Sequence, residues 1–269
     1  MINYKTEIEN AIEEVFAASH NRLNTDKKAQ SEYLRNNLLK RDYLLRLLVK
    51  LARLENIPLN DRKSFKILDI GPAEGIIPRA LKNLGFDVWV LEHELCSQDM
   101  DKVKYYSGLK LKECIIEKGN FPFEDNFFDL VMSFGVMEHQ EPPTKPFWEE
   151  MKRITKKGGE ILVENPQPMN LRKRFFMMIG VNPNREIDNW YSQAPIFTGH
   201  YREHTLAELK YCAEKTGLEV LKAGGFQFIA LGYLGSARSV FKKLIIKAFM
   251  MLAGLADNLK DTVYVYCRI

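Results

Sequence analysis

The run Lys66-Ile-Leu-Asp-Ile-Gly-Pro-Ala-Glu-Gly75 sets an acid, Asp69, near the end of an apolar strand, followed by the small residues Gly71, Ala73 and Gly75. A helical pattern begins directly after them. Small residues let the main chain come close to a ligand. The opening turn of the helix aims unpaired N–H groups and the positive end of its dipole at an anion. That is the chemistry of a pocket for a ligand with a negative group. Glu92 adds a second piece, about twenty residues beyond Gly71 and at the end of the next apolar run, Val88-Trp-Val-Leu91. An acid there accepts hydrogen bonds from the two hydroxyls of an adenosine ribose. A nicotinamide dinucleotide would ask for G-x-G-x-x-G, whereas Ile76 holds the third position and Gly75 falls one residue early. The turn therefore fits a different nucleoside.

These groups need elements to hold them. Residues 1–60 read as helical, with Ile8, Ile12 and Val15 at helical spacing and again Leu44, Leu48 and Leu51; Asn56-Ile-Pro58 closes this addition. From Phe65 strands and helices alternate, the mark of an α/β domain with a parallel sheet. Strands are expected at Lys66–Ile70, Val88–Leu91, Cys114–Ile116, Asp129–Phe134, Glu160–Val163, Leu218–Leu221 and Thr262–Tyr266. The first intervening helix carries Ile77, Ala80, Leu81 and Leu84 on one face, allows Pro78 in its first turn and stops at Gly85. Thr205-Leu-Ala-Glu208 is a capping box that opens another helix, which Gly217 ends. We therefore expect two units, residues 1–60 and 61–269, the second interrupted by insertions near 166–203 and 226–258. The first insertion is expected to act as a lid over the site.

Composition narrows the classes of function. The chain has 269 residues, 46% hydrophobic and 28% charged, as in ordinary globular proteins. A net charge of +4 is too mild to argue for a nucleic acid partner. Cys96, Cys114, Cys212 and Cys267 are scattered without zinc-ligand spacing, so no metal is expected and the thiols read as idle in a reducing compartment. The first residues lack the pattern of a signal peptide, and the charge-free stretch Gly224–Ala237 is too short to span a bilayer, so a cytoplasmic location is expected. Arg172, Lys173 and Arg174 precede Phe175–Ile179, and Lys242, Lys243 and Lys247 lie among Phe241, Leu244, Ile245, Phe249 and Met250. Such segments either rest on an anionic membrane or pack their apolar face on the core.

The block Glu117-Lys-Gly-Asn-Phe-Pro-Phe-Glu-Asp-Asn-Phe-Phe-Asp-Leu-Val-Met-Ser-Phe-Gly-Val-Met-Glu-His139 completes the pattern. With Ile67–Gly75 before it and Met151-Lys-Arg-Ile-Thr-Lys-Lys-Gly-Gly-Glu-Ile-Leu-Val163 after it, it resembles the class I S-adenosyl-L-methionine-dependent methyltransferases, most nearly their small-molecule branch (methyltransferase type 11-like). The resemblance covers roughly residues 65–165, three blocks in the family's order. It implies a Rossmann-like, mostly parallel sheet of seven strands whose last strand is antiparallel. Gly71, Ala73 and Gly75 would face the methionyl part of the cofactor, with its ammonium near Asp69. Glu92 would hold the ribose and His93 would flank the adenine. Glu117 would accept from the adenine amino group, with Gly119, Asn120 and Phe121 lining that side. Ser133, Phe134 and Gly135 would approach the sulfonium. Ala73, Glu92 and Glu117 depart from the family's commoner glycine and aspartates, and Lys156-Lys-Gly-Gly lacks its usual proline.

The implied activity is methyl transfer to a small-molecule acceptor, with O-methylation of a sugar or lipid intermediate favoured. His139, after the fourth strand, is the candidate base; a histidine satisfied in its own loop is the alternative. His200, Tyr201, Arg202 and His204 form a second polar cluster able to supply a base or bind an acceptor, Arg202 suiting a carboxylate or phosphate. A structural turn is the plain alternative there. A binding protein without turnover and an RNA methyltransferase are the rival readings. The acceptor itself and the oligomeric state are not legible.

Overall fold

In a computed structural model of the chain, residues 29–73, 75–93, 106, 108–183, 191, 199–227 and 239–269 are described. The expected helix around Ile8, Ile12 and Val15, and Cys96, lie outside them. Seven strands form one sheet in the order β3-β2-β1-β4-β5-β7-β6. They are β1 (Lys66–Ile70), β2 (Asp87–His93), β3 (Lys110–Cys114), β4 (Phe128–Phe134), β5 (Thr155–Pro166), β6 (Glu219–Phe226) and β7 (Thr262–Arg268). β1 to β5 pair in parallel, while β7 runs antiparallel to both β5 and β6. The helices are α1 (Ala29–Leu51), α2 (Leu59–Arg62), α3 (Ile76–Asn83), α4 (Lys145–Ile154), α5 (Leu171–Met178), α6 (Leu206–Lys215) and α7 (Val240–Gly254).

Two cores follow from the two-residue period of the strands. Ile67, Leu130, Met132, Tyr264 and Tyr266 point to one face, where Leu44 and Leu48 of α1 and Ile77, Ala80 and Leu81 of α3 cover them. Leu68, Val131, Val263 and Val265 point to the other, beneath Phe147, Trp148 and Met151 of α4 and Leu209 and Ala213 of α6. A parallel sheet covered on both faces explains why its strands read as continuous apolar runs. Each fully buried large side chain contributes on the order of 1.5–3 kcal/mol. The N-terminal addition is thus part of the main core, through Leu44 and Leu48. Arg62 of α2 reinforces it: the buried guanidinium donates to Leu84 O (2.9 Å) and Ile57 O (3.1 Å) and lies over the Phe86 ring.

The third strand departs from expectation. It runs over Lys110–Cys114, and Ile116–Lys118 form a 3₁₀ turn rather than strand. β3 is an edge strand with Lys110 and Lys112 exposed, so charge masks its pattern. Lys110 is held by Asp87 (2.7 Å) and the Trp89 ring. β6 and β7 extend beyond their expected limits, to Phe226 and Arg268. The capping box forms as read: the Thr205 hydroxyl accepts from Glu208 N, and the Glu208 carboxylate accepts from Thr205 N. Cys114, Cys212 and Cys267 are free thiols.

Candidate active site

The carboxyl ends of β1, β2, β4 and β5 meet along one edge of the sheet, where ligands bind in open α/β folds. Asp69 is buried there, and its Oδ1 has no hydrogen-bond partner. Burial raises its carboxyl well above the usual range, Arg41 opposes the rise and the charge of Glu92 adds to it. An acceptor left orphaned in the interior is costly unless a ligand completes it. Beyond it the chain takes positive φ at Gly71 (+61°), Ala73 (+53°) and Gly75 (+67°). A Cβ on Gly71 would come within 2.7 Å of Val136 Cγ2, so the turn admits no side chain at that position. Gly75 caps α3, whose unpaired N–H groups open towards the same edge. The small residues of the motif are therefore demanded by backbone geometry as well as by ligand access.

Glu92 closes β2 in a buried position. Its Oε1 accepts from the Tyr106 hydroxyl (2.6 Å) and its Oε2 from His93 N (3.1 Å). The same hydroxyl lies 2.7 Å from Ala73 O, so Tyr106 ties the Gly71–Gly75 turn to Glu92. Sequence reasoning missed Tyr106, which carries no motif. A carboxylate has about four lone-pair sites, so both oxygens of Glu92 retain acceptor capacity. His93 Nε2 lies 3.8 Å from Glu117 Oε2, which brings together the two side chains expected around an adenine. Asn120 is exposed nearby. Gly119 and Phe121 are accounted for by packing. A Cβ on Gly119 would meet Pro146 Cβ at 2.5 Å, while the Phe121 ring is buried edge-to-face against Phe147. Only their main chain remains to face a base.

At the end of β4, Ser133 and Phe134 are buried, the Ser133 Oγ without a hydrogen-bond partner. Gly135 (φ +70°) turns the chain, and a Cβ there would lie 3.4 Å from Glu138 Oε1 and 3.7 Å from Lys40 Nζ. Lys40 comes from α1 and pairs with the buried Glu164 of β5 at 2.8 Å. The helical addition thus supplies a cation to this edge of the sheet, something no local pattern in the sequence announces. Glu138 is buried and its carboxyl is pushed up to about 7, first by burial and then by the charge of Glu164; Lys40, a backbone hydrogen bond and His200 pull the other way.

The structure brings His139 and His200 together. Their rings meet edge-to-face with centroids 4.8 Å apart. His139 Nδ1 lies 3.0 Å from Gly199 O and His200 Nδ1 lies 3.2 Å from Glu203 Oε1. A carbonyl and a carboxylate can only accept, so each Nδ1 carries a proton, and in the neutral form of either ring Nε2 is the basic nitrogen. Glu203 in turn pairs with the buried Lys173 of α5. Burial alone would raise the Glu203 carboxyl; the His200 hydrogen bond and Lys173 outweigh it and hold the group below its usual range. The remaining members of the second cluster diverge. Arg202 is exposed and ion-paired through Nη2 with Glu208, the capping acid of α6. His204 is buried and its pKa is lowered, chiefly by burial. Tyr201 contributes a main-chain hydrogen bond to Glu138 O (2.7 Å). Glu203 was legible only as a neighbour three residues from His200, and Glu138 only as part of the block ending in His139.

Glu138, His139 and His200 each place one ligand-type atom within 4.8 Å of the others, a set that could hold a divalent cation.

A family model described as a methyltransferase domain matches residues 33–223. The ubiquinone/menaquinone biosynthesis C-methyltransferase UbiE of Cupriavidus necator is 30% identical over 110 residues, 38% of this chain and 43% of that protein. An uncharacterized methyltransferase of Schizosaccharomyces pombe is 29% identical over 115 residues, 37% and 39% of the two chains. The chain spans about two fifths of the length of the curated relatives it matches. Among solved structures, a SAM-dependent methyltransferase from Archaeoglobus fulgidus superposes with a TM-score of 0.56 at 15% identity, covering 88% of this chain and 99% of that one. That likeness speaks to the fold. With the family model matched over most of its length, the chain belongs to the methyltransferase domain family, of the class I fold that uses S-adenosylmethionine.

Proposed function

We propose that this protein transfers a methyl group from S-adenosylmethionine to a hydroxyl of a small-molecule acceptor, with His200 receiving the proton. The observation that carries the reading is the Lys173–Glu203–His200 chain, which delivers an imidazole lone pair beside His139 and Glu138 at the end of β4. The bound cofactor supplies a methyl already activated by its sulfonium. What the chain must do is position, exclude water and take up a proton. The residues present suit the cofactor. The orphaned Asp69 Oδ1 is an acceptor for its ammonium, and the α3 N-terminus suits its carboxylate. Glu92 would accept from the ribose hydroxyls, and Glu117 with His93 would border the adenine. Ser133, Phe134 and Gly135 would flank the sulfur.

The test is release of S-adenosylhomocysteine on presentation of candidate acceptors bearing hydroxyl groups. Turnover is expected with the wild-type chain and not with His200→Ala; equal turnover in both would overturn the assignment of the base. Chelation supplies a second check. Because the proposed transfer asks only a base of His200 and nothing of an ion at the Glu138–His139–His200 set, activity is expected to survive exhaustive treatment with a chelator, and a loss restored by divalent metal would contradict that. For the ribose, Glu92→Ala should cost roughly 1–3 kcal/mol of cofactor affinity by titration calorimetry, through hydroxyls left unpaired. Tyr106→Phe, which releases a Glu92 oxygen, should not weaken binding. Unchanged affinity in Glu92→Ala would move the ribose elsewhere.

A further inference from the structure

Two helices carry apolar side chains that the sheet does not bury. In α5, Phe175 and Met178 are exposed, with Ile179 just beyond its end. In α7, Phe241, Leu244, Ile245 and Met251 are exposed (Phe241 by 71%, Met251 by 76%), and Ala253 is the one fully buried residue among those described. Neither helix contains an acidic residue: their sequences are LRKRFFMM and VFKKLIIKAFMMLAG. Lys243 and Lys247 are exposed among the apolar groups of α7. Neither α5 nor α7 is long enough to cross a bilayer, and no helix among the described residues is both long and apolar enough to do so. Apolar bulk mixed with cations and free of acids is the composition of a helix lying in the headgroup region of an anionic membrane.

Topology gives the patch its meaning. Pro166 of β5 and Phe226 of β6 both lie opposite Thr262 of β7, because β7 is antiparallel to each neighbour. The chain therefore leaves β5 towards α5, and leaves β6 towards α7, at the same edge of the sheet where β1 and β4 end at Ile70 and Phe134. That edge holds Gly71, Gly135 and His139. Moreover α5 carries Lys173, whose ammonium fixes Glu203 and through it His200. The helix with the exposed Phe175 and Met178 is thus directly joined to the proposed base.

We propose that α5 and α7 seat the protein on an anionic lipid surface with its catalytic edge facing the bilayer, so that the acceptor is an amphiphile presented from the membrane. This rests on the methyltransferase reading for the word acceptor, but not for the docking. Flotation of the full chain with phosphatidylcholine vesicles, with and without phosphatidylglycerol, tests it. Wild type should float with the anionic vesicles, less so as salt rises. The pair Lys243→Glu/Lys247→Glu should lower the partition coefficient at least about tenfold, and Phe241→Asp/Ile245→Asp should abolish flotation. Both variants should keep cofactor affinity by calorimetry, since their side chains lie outside the cofactor crevice. Equal flotation of wild type and variants, or none by wild type, overturns the proposal while leaving the cofactor reading intact. A lipid-free dimer in light scattering that Phe241→Asp/Ile245→Asp splits would overturn it in favour of a second copy covering the face. Failure of wild type to bind cofactor would instead sink the methyltransferase reading alone.

Discussion

His200→Ala is expected to lower kcat by about 10²–10⁴-fold, the range for removal of a positioned base. Cofactor affinity should be unchanged, because the imidazole belongs to the acceptor side of the edge. The size of the effect follows from the hydrogen-bond chain. Lys173 pairs with Glu203, Glu203 accepts from His200 Nδ1, and the lone pair on Nε2 is thereby fixed in place. Glu203→Gln should give a smaller loss, since an amide can still accept from the ring but no longer favours the imidazolium formed in the reaction. His139→Ala separates the two rings. If His139 is the base and His200 its support, the larger fall will occur there, and the roles assigned above are reversed. Single-turnover rates on one acceptor distinguish these outcomes.

The second large effect concerns stability. Glu138 has its carboxyl raised from 4.5 to about 7 in the folded chain. A raised acid binds its proton more tightly folded than unfolded, so between those two values the folded state holds more protons and stability falls as pH rises. The loss begins near the unfolded value of 4.5 and is complete above about 7. A difference of that size corresponds to roughly 3–4 kcal/mol at alkaline pH. Glu138→Gln removes the ionisation and offers an amide donor in the same space. The variant should therefore melt about 4–8 °C above wild type near pH 8, with the gap closing towards pH 5. A constant offset across pH, or a lower melting temperature near pH 8, would show that burial of Glu138 carries no such penalty. A site that stores destabilising charge for use in chemistry is a familiar source of conflict between stability and function.

The half of the edge proposed for the cofactor was legible as structure because local rules govern it. Strand, turn and helix around Gly71 have a period and a residue requirement that any reader can count, and Glu92 sits at a set distance along the chain. β3 was misplaced because an edge strand needs only one apolar face, and Lys110 and Lys112 occupy the other. The half proposed for the acceptor is assembled from places far apart in sequence: Lys40 from α1, Glu138 after β4, Glu164 on β5, Lys173 on α5 and Glu203 before α6. No periodicity connects them, since each belongs to a different element. Tyr106 and Arg202 make the same point from opposite sides. The first is a tyrosine without a motif that joins Ala73 O to Glu92, and the second is a cation read as an acceptor ligand that the fold also pairs with the capping acid of α6.

The reversal of direction at β7 carries a consequence for how such a protein diversifies. Because β7 returns between β5 and β6, the chain leaves both of those strands at one rim: after β5 it reaches the opposite rim, where β6 begins, and after β6 it enters β7 from the rim it left. The two connecting segments can then be exchanged, as one changes the jaws of a tool, while the pairing of β1 with β2 and β4 is left whole.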